Sequence, residues 1–106
     1  MVNQLAMDVI FKALADPTRR SIIERVSTGP LSVEVLSPYY QMSAPALSKH
    51  LRVLEEAKLI KRSKESRNVI VSLEPNSFKA LQVWVQKYTT FWNTNLDALE
   101  KLLNKK

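Results

Sequence analysis

The sequence predicts a mainly α-helical chain of five helices with one β-hairpin, and three observations carry that expectation. The first is the segment Met42–Ile60, read as helical, in which Leu47, Leu51 and Leu54 recur at i, i+4 and i+7 while Pro45, Ser48, Lys49 and Arg52 fall on the opposite side. The second lies just beyond it. Leu59 to Ser63 and Asn68 to Leu73 are strand-like, the latter rich in β-branched residues, and Lys64-Glu65-Ser66-Arg67 is a polar break between them. The third is a stretch from about 76 to 103 whose apolar residues keep a helical period throughout. A helix with one free basic face, followed by a basic hairpin spanning about 59–73, is the pattern of a winged helix-turn-helix, and residues 1–106 make one such domain.

Each element has a local cause. A first helix is expected from about Gln4 to Leu14, with Leu5, Val9, Ile10, Ala13 and Leu14 on one face. Asp16-Pro17 restarts the chain, Asp as cap and Pro at the first helical position, where a missing N–H costs nothing. Ile22, Ile23 and Val26 form the buried side of this second helix until Gly29-Pro30 stops it, and Arg19 and Arg20 are expected to pair with caps rather than read bases. Ser32 caps a short third helix that ends near Ser37-Pro38, with Val33 and Leu36 toward the core. Tyr39-Tyr40-Gln41 bridges to the next helix, and these tyrosines are expected to cover the core rather than to bind anything.

The fourth helix carries the candidate chemistry. Ser43 is its N-cap, and small side chains in the first turns let a helix sink into a major groove about 12 Å wide, where Ser and Lys reach base edges. Lys58, Lys61, Arg62, Lys64 and Arg67 then add a second basic element with Glu65 as its only acid. The expected DNA-binding residues are therefore Ser43, Ala44, Pro45, Ala46, Ser48, Lys49, His50 and Arg52 on the helix, with Lys64 and Arg67 on the wing. Double-stranded DNA is the expected partner.

In the last helix, Phe78, Leu81, Trp84, Val85, Tyr88, Phe91, Trp92, Leu96, Leu99, Leu102 and Leu103 fall in one sector about 140° wide at 100° per residue. So small a domain offers too little surface to cover that stripe, and a two-fold dimer is the simplest cover because one self-complementary patch closes the assembly. The expected interface comprises Trp84, Tyr88, Phe91, Trp92, Leu96, Leu99, Leu102 and Leu103, joined by Leu5 and Val9 of the first helix.

Composition bounds the function. Sixteen Lys plus Arg against ten Asp plus Glu give +6, which favours a polyanionic partner through counterion release. With no cysteine there is no disulfide, no thiolate metal site and no thiol switch. The first residues, Met1-Val-Asn-Gln, lack a basic n-region and a long apolar run, so neither a signal peptide nor a membrane span is expected, and the chain is expected in the cytoplasm. No Gly-rich phosphate loop, no histidine with a positioned nucleophile and no separated carboxylate pair in an apolar setting supports an enzyme. Glu55-Glu56 is expected to be a solvated helix end. The alternative is a winged-helix module that binds protein or RNA through its basic face; common single-strand RNA binders need stacking aromatics beside the basic patch, and here the aromatics lie elsewhere.

Phe11-Lys12-Ala13-Leu14-Ala15-Asp16-Pro17-Thr18-Arg19-Arg20 and Ser48-Lys49-His50-Leu51-Arg52-Val53-Leu54-Glu55-Glu56-Ala57, with Arg67 in the wing, resemble the ArsR-type (ArsR/SmtB) winged-helix transcriptional repressors over nearly the whole chain. The resemblance implies a homodimeric repressor at an inverted repeat, and the C-terminal aromatics look like a metal-independent branch of that family. Where its metal sensors often place cysteines this chain has Ser32 and Glu34, the last helix has no histidine, and His50 alone makes no site, so no metal or cofactor is expected. Nothing in the residues names a small-molecule effector. Ser66 stands where the resemblance implies a wing-tip glycine; if that position has positive φ, serine costs about 1–2 kcal/mol.

Overall fold

Side-chain caps decide where the helices begin. In the computed structural model, which describes residues 4–104, Asp16 Oδ2 accepts the Arg19 N–H at 3.0 Å, Ser32 Oγ that of Val35 at 3.1 Å and Ser43 Oγ that of Ala46 at 3.2 Å. Each satisfies one of the N–H groups that a first helical turn leaves unpaired. The resulting order is α1 (Gln4–Leu14), α2 (Pro17–Val26), β1 (Leu31–Ser32), α3 (Val33–Leu36), a 3-10 turn (Ser37–Tyr39), α4 (Ala44–Glu56), β2 (Ile60–Glu65), β3 (Asn68–Leu73) and α5 (Pro75–Asn104). Among the described residues no helix is long and apolar enough to cross a membrane. The expectation drawn from Met1 to Asn3 lies outside the described residues.

The sheet is three-stranded and antiparallel in the order β1-β3-β2, so the hairpin expected from sequence gains a third strand. Val71 sits at its centre, opposite Leu31 on one side and Arg62 on the other, and is fully buried. The core is built from Met7, Ile10 and Ala13 of α1, Ile22 and Val26 of α2, Leu36 of α3, and the expected Leu47, Leu51 and Leu54 of α4, closed beneath by Leu59, Ile60 and Val71. Each of the Leu, Ile, Val and Met side chains contributes roughly 1.5–3 kcal/mol on burial. In α1 the face differs from the expected one: the buried stripe is Met7, Ile10 and Ala13, and Leu5 and Val9 lie outside it, exposed.

Two boundaries also differ. The helix expected to run to Ile60 stops at Glu56, because Lys58 takes φ 59°. There the Leu59 N–H bonds to Leu54 O at 3.0 Å and the Lys58 N–H to Glu55 O at 2.9 Å. That is a Schellman stop with lysine where glycine is usual, and it turns Leu59 and Ile60 under the core as the wing begins. At the far end of the wing, Glu65 pairs with Asn68, so Lys64 and Glu65 belong to β2 and the loop is only Ser66 and Arg67. Ser66 does take positive φ, 58°. The single glycine of the chain, Gly29, serves a third such position after α2, with φ 148°.

Candidate nucleic-acid interface

α4 is anchored by its leucines and open on the reverse side. Leu47, Leu51 and Leu54 are at most 2% exposed, whereas Ser43, Ala44, Pro45, Lys49 and Arg52 are exposed and Ala46 and Ser48 half-buried at the edge. The first turn therefore presents a low, small-residue surface, and the next turn adds two cations. The wing carries Lys64 near the end of β2 and Arg67 in its loop, both exposed.

Not every basic residue is free for a partner. Arg62 Nη2 and Nε donate to Glu55 Oε1 at 2.9 and 3.2 Å, tying β2 to the end of α4. These bonds outweigh burial and hold the Glu55 carboxyl below its ordinary value. Glu55 is thus half of a clamp between helix and wing, not the solvated group expected, and only Glu56 is exposed. Lys61 lies 3.9 Å from Glu74. Arg19 donates to Ala13 O at 2.6 Å and Lys12 O at 3.0 Å, and Arg20 to Leu14 O at 2.8 Å. Both arginines satisfy the last carbonyls of α1, the cap-pairing role expected of them.

His50 is placed differently from the open face. Its ring turns toward the start of α2, with Nδ1 3.4 Å from Arg19 Nη1 and 3.7 Å from Asp16 Oδ2. Burial raises the Asp16 carboxyl, but the Arg19 N–H and the neighbouring His50 and Arg19 charges outweigh it and leave the group below its ordinary value. The tyrosines before α4 are engaged within the domain: the Tyr40 and Ser21 hydroxyls are 2.9 Å apart, and the Arg25 guanidinium lies 3.5 Å from the centre of the Tyr39 ring. The core-covering role expected of them holds for Tyr40, which is half-buried against the core; Tyr39 is exposed and stacks on Arg25 instead. No sequence signal links residues 25 and 39.

The last helix divides in two. Phe78, Leu81 and Trp84 pack on the core, with the Phe11 and Trp84 rings edge to face at 4.7 Å, and Tyr88, itself exposed, lies tilted against Trp84 at 4.4 Å. Trp84, expected at the interface, is thus largely covered by its own domain. Beyond it the stripe is open: Phe91, Trp92, Leu96, Leu99, Leu102 and Leu103 are each at least 50% exposed. Leu5 and Val9 are also open. Among the described residues no three His, Cys, Asp or Glu side chains converge as a metal site would require, and Ser32 spends its hydroxyl capping α3.

Comparison with known proteins agrees with this geometry. The profile of the family described as "Bacterial regulatory protein, arsR family" matches residues 16–62, from the α2 cap into β2. An HTH-type transcriptional regulator of Mycobacterium tuberculosis is 35% identical over 97 residues, covering 92% of this chain and 88% of the relative. The transcriptional repressor SdpR of Bacillus subtilis is 27% identical over 82 residues, covering 77% of this chain and 91% of the relative. A crystal structure of an ArsR family transcriptional regulator superposes with a TM-score of 0.78 at 33% identity, covering 88% of this chain and 97% of that one.

Proposed function

Because the chain belongs to the arsR family of bacterial regulatory proteins, DNA-binding transcriptional regulators and not enzymes, we propose that it is a homodimeric repressor of an inverted-repeat operator in double-stranded DNA. The observation that carries this reading is the outward face of α4, small at its first turn and cationic at the second, with Lys64 and Arg67 on the neighbouring wing. In the proposed complex Ser43, Ala44, Pro45, Ala46, Ser48, Lys49 and Arg52 face the major groove, His50 meets its wall, and Lys64 and Arg67 grip flanking phosphate or minor groove. The open stripe of α5, with Leu5 and Val9, pairs two copies so that two recognition helices meet half-sites about one helical turn, ~34–36 Å, apart. Occupancy then blocks polymerase. This reading assigns no role to a metal, as the chain offers no cysteine and its last helix no histidine.

Selection of bound sequences from a random duplex pool tests the reading in one step. The expected product is a short inverted repeat whose binding weakens steeply with added salt, because lysines and arginines replace condensed counterions on phosphate. Recovery of an asymmetric or random pool would reject the symmetric operator, and affinity for single-stranded RNA or for protein alone would favour the interaction-module alternative.

A further inference from the structure

The contacts around His50 bear on which ring nitrogen of the neutral imidazole carries the proton. Nδ1 lies 3.4 Å from Nη1 of Arg19 and 3.7 Å from Oδ2 of Asp16. A guanidinium has only donors, so at the shorter distance Nδ1 accepts. The carboxylate is beyond hydrogen-bonding reach, and its Oδ2 already accepts the Arg19 backbone N–H at 3.0 Å. Arg19 cannot swing away cheaply, because Nε and Nη2 are held by Ala13 O at 2.6 Å and Lys12 O at 3.0 Å. With Nδ1 accepting, the neutral ring is protonated at Nε2, which has no hydrogen-bond partner among the described residues although the side chain is only 24% exposed.

We infer that Arg19 is a positioning residue that holds His50 as its Nε2–H tautomer, so that the flank of α4 offers a hydrogen-bond donor to a DNA phosphate. The phosphate rests on the DNA-binding reading above; the tautomer is a property of the free protein. His50 follows Lys49 by 100° around the helix, on the side turned to α2 and off the outermost face, so it meets the wall of a major groove rather than its floor. Groove walls are phosphate, an acceptor that suits an N–H donor and would repel a bare ring nitrogen. The start of α2 adds the partial positive charge of a helix N-terminus and the Arg19 cation on the same side, set against the Asp16 carboxylate 3.7 Å from Nδ1. Arg19 thus joins the end of α1 to the reading helix while touching no DNA itself.

Long-range proton–nitrogen correlation spectra of the free chain, at a pH where the imidazole is neutral, test the tautomer: the proton is expected on Nε2, and a ring protonated mainly on Nδ1 overturns the inference. Arg19→Lys keeps the charge but loses the fork, and is expected to mix the tautomers; an unchanged pure Nε2–H ring would show that Arg19 does not set it. On a selected operator, His50→Gln places an amide donor near the Nε2 position and should bind within about threefold of wild type, whereas His50→Leu should bind about tenfold or more weaker. A methylphosphonate scan should find one linkage at which lost charge weakens wild type but not His50→Leu further, a coupling that a purely structural histidine would not show. Wild-type affinity in His50→Leu, or no such linkage, overturns the phosphate contact. If wild type selects no operator at all, the phosphate contact falls with the DNA reading and the spectra alone decide the tautomer.

Discussion

Leu51 and Leu99 are the same side chain on the same helical period, yet one is 1% exposed and the other 50%. The difference lies in what stands opposite them. α4 crosses α1 and α2 and closes on the sheet, so its stripe has neighbours along its whole length. α5 shares that cover only as far as Trp84 and Tyr88, where Phe11 of α1 ends the contact, and the remaining turns carry large apolar side chains into open space. A hydrophobic stripe states that a face needs cover and says nothing of which chain supplies it. The covered region specifies the fold, and the uncovered one leaves a face without cover in the single chain.

The sharpest way to break this comparison is to place a charge in each half of α5. If the open stripe is a subunit interface, Trp92→Glu or Leu99→Glu buries an unpaired carboxylate, and the dimer should give way to monomer. Each monomer keeps one set of operator contacts and loses the avidity of the second, so affinity should fall by about two orders of magnitude or more with α4 untouched. Light scattering beside operator titration measures both. A well-folded monomer with wild-type affinity would reject the dimeric mechanism and give the stripe another partner.

The next test asks whether the two leucines differ in the folding of one chain. Leu51→Ala should lower unfolding stability by about 2–5 kcal/mol, through lost transfer energy and the cavity left behind. Leu99→Ala should leave dilute-protein stability nearly unchanged and alter only its dependence on protein concentration, because an exposed side chain gains from burial only when a second copy arrives. Denaturant melts at two concentrations separate the cases, and equal losses at both positions would mean that α5 is packed within its own subunit.

Much of this contrast was legible in the sequence because periodicity and caps are local. Asp16, Ser32 and Ser43 accept the N–H bonds their types favour, and the leucines of α4 are buried as their spacing requires. What escaped was non-local. β1 has two residues, too few for a period, and Ser32 both ends that strand and caps α3. The Glu55–Arg62 clamp and the turn of His50 toward Asp16 and Arg19 join residues whose types alone read as solvated charge or free donor. For the residues proposed to face DNA, the spacing made the exposure of Lys49 and Arg52 on α4 legible but not the turn of His50.

A smaller effect separates reading from assembly within the covered region. Lys49 lies on the outer face of α4, and Lys49→Ala should cost about 1–3 kcal/mol on the selected operator but much less on random DNA, with the dimer intact. Arg67→Ala at the wing tip should instead weaken all duplexes by similar factors and reduce the salt slope by about one unit. Equal losses on specific and random DNA for Lys49→Ala would confine that residue to the phosphate backbone. An unchanged salt slope for Arg67→Ala would show the wing to be idle.

The smallest effect falls on backbone strain, which the covered region holds at both ends of its wing. The chain places its one glycine at position 29 and leaves Lys58 and Ser66 to take φ near 60° with full side chains. At Ser66 the loop between β2 and β3 has only two residues, and positive φ at the first but not the second is the pattern of a type II′ turn, which favours glycine there. Ser66→Gly removes the clash of a Cβ with its own carbonyl, a gain of about 1–2 kcal/mol. Part of that gain is returned through the greater freedom of glycine in the unfolded chain. The net expectation is a rise in unfolding stability of up to about 1 kcal/mol, measured by denaturant melts, with the dimerisation constant of the proposed interface unchanged. A loss of stability would show that the serine side chain holds the turn by bonds that outweigh its strain, and a change in dimerisation would mean that wing and stripe are coupled.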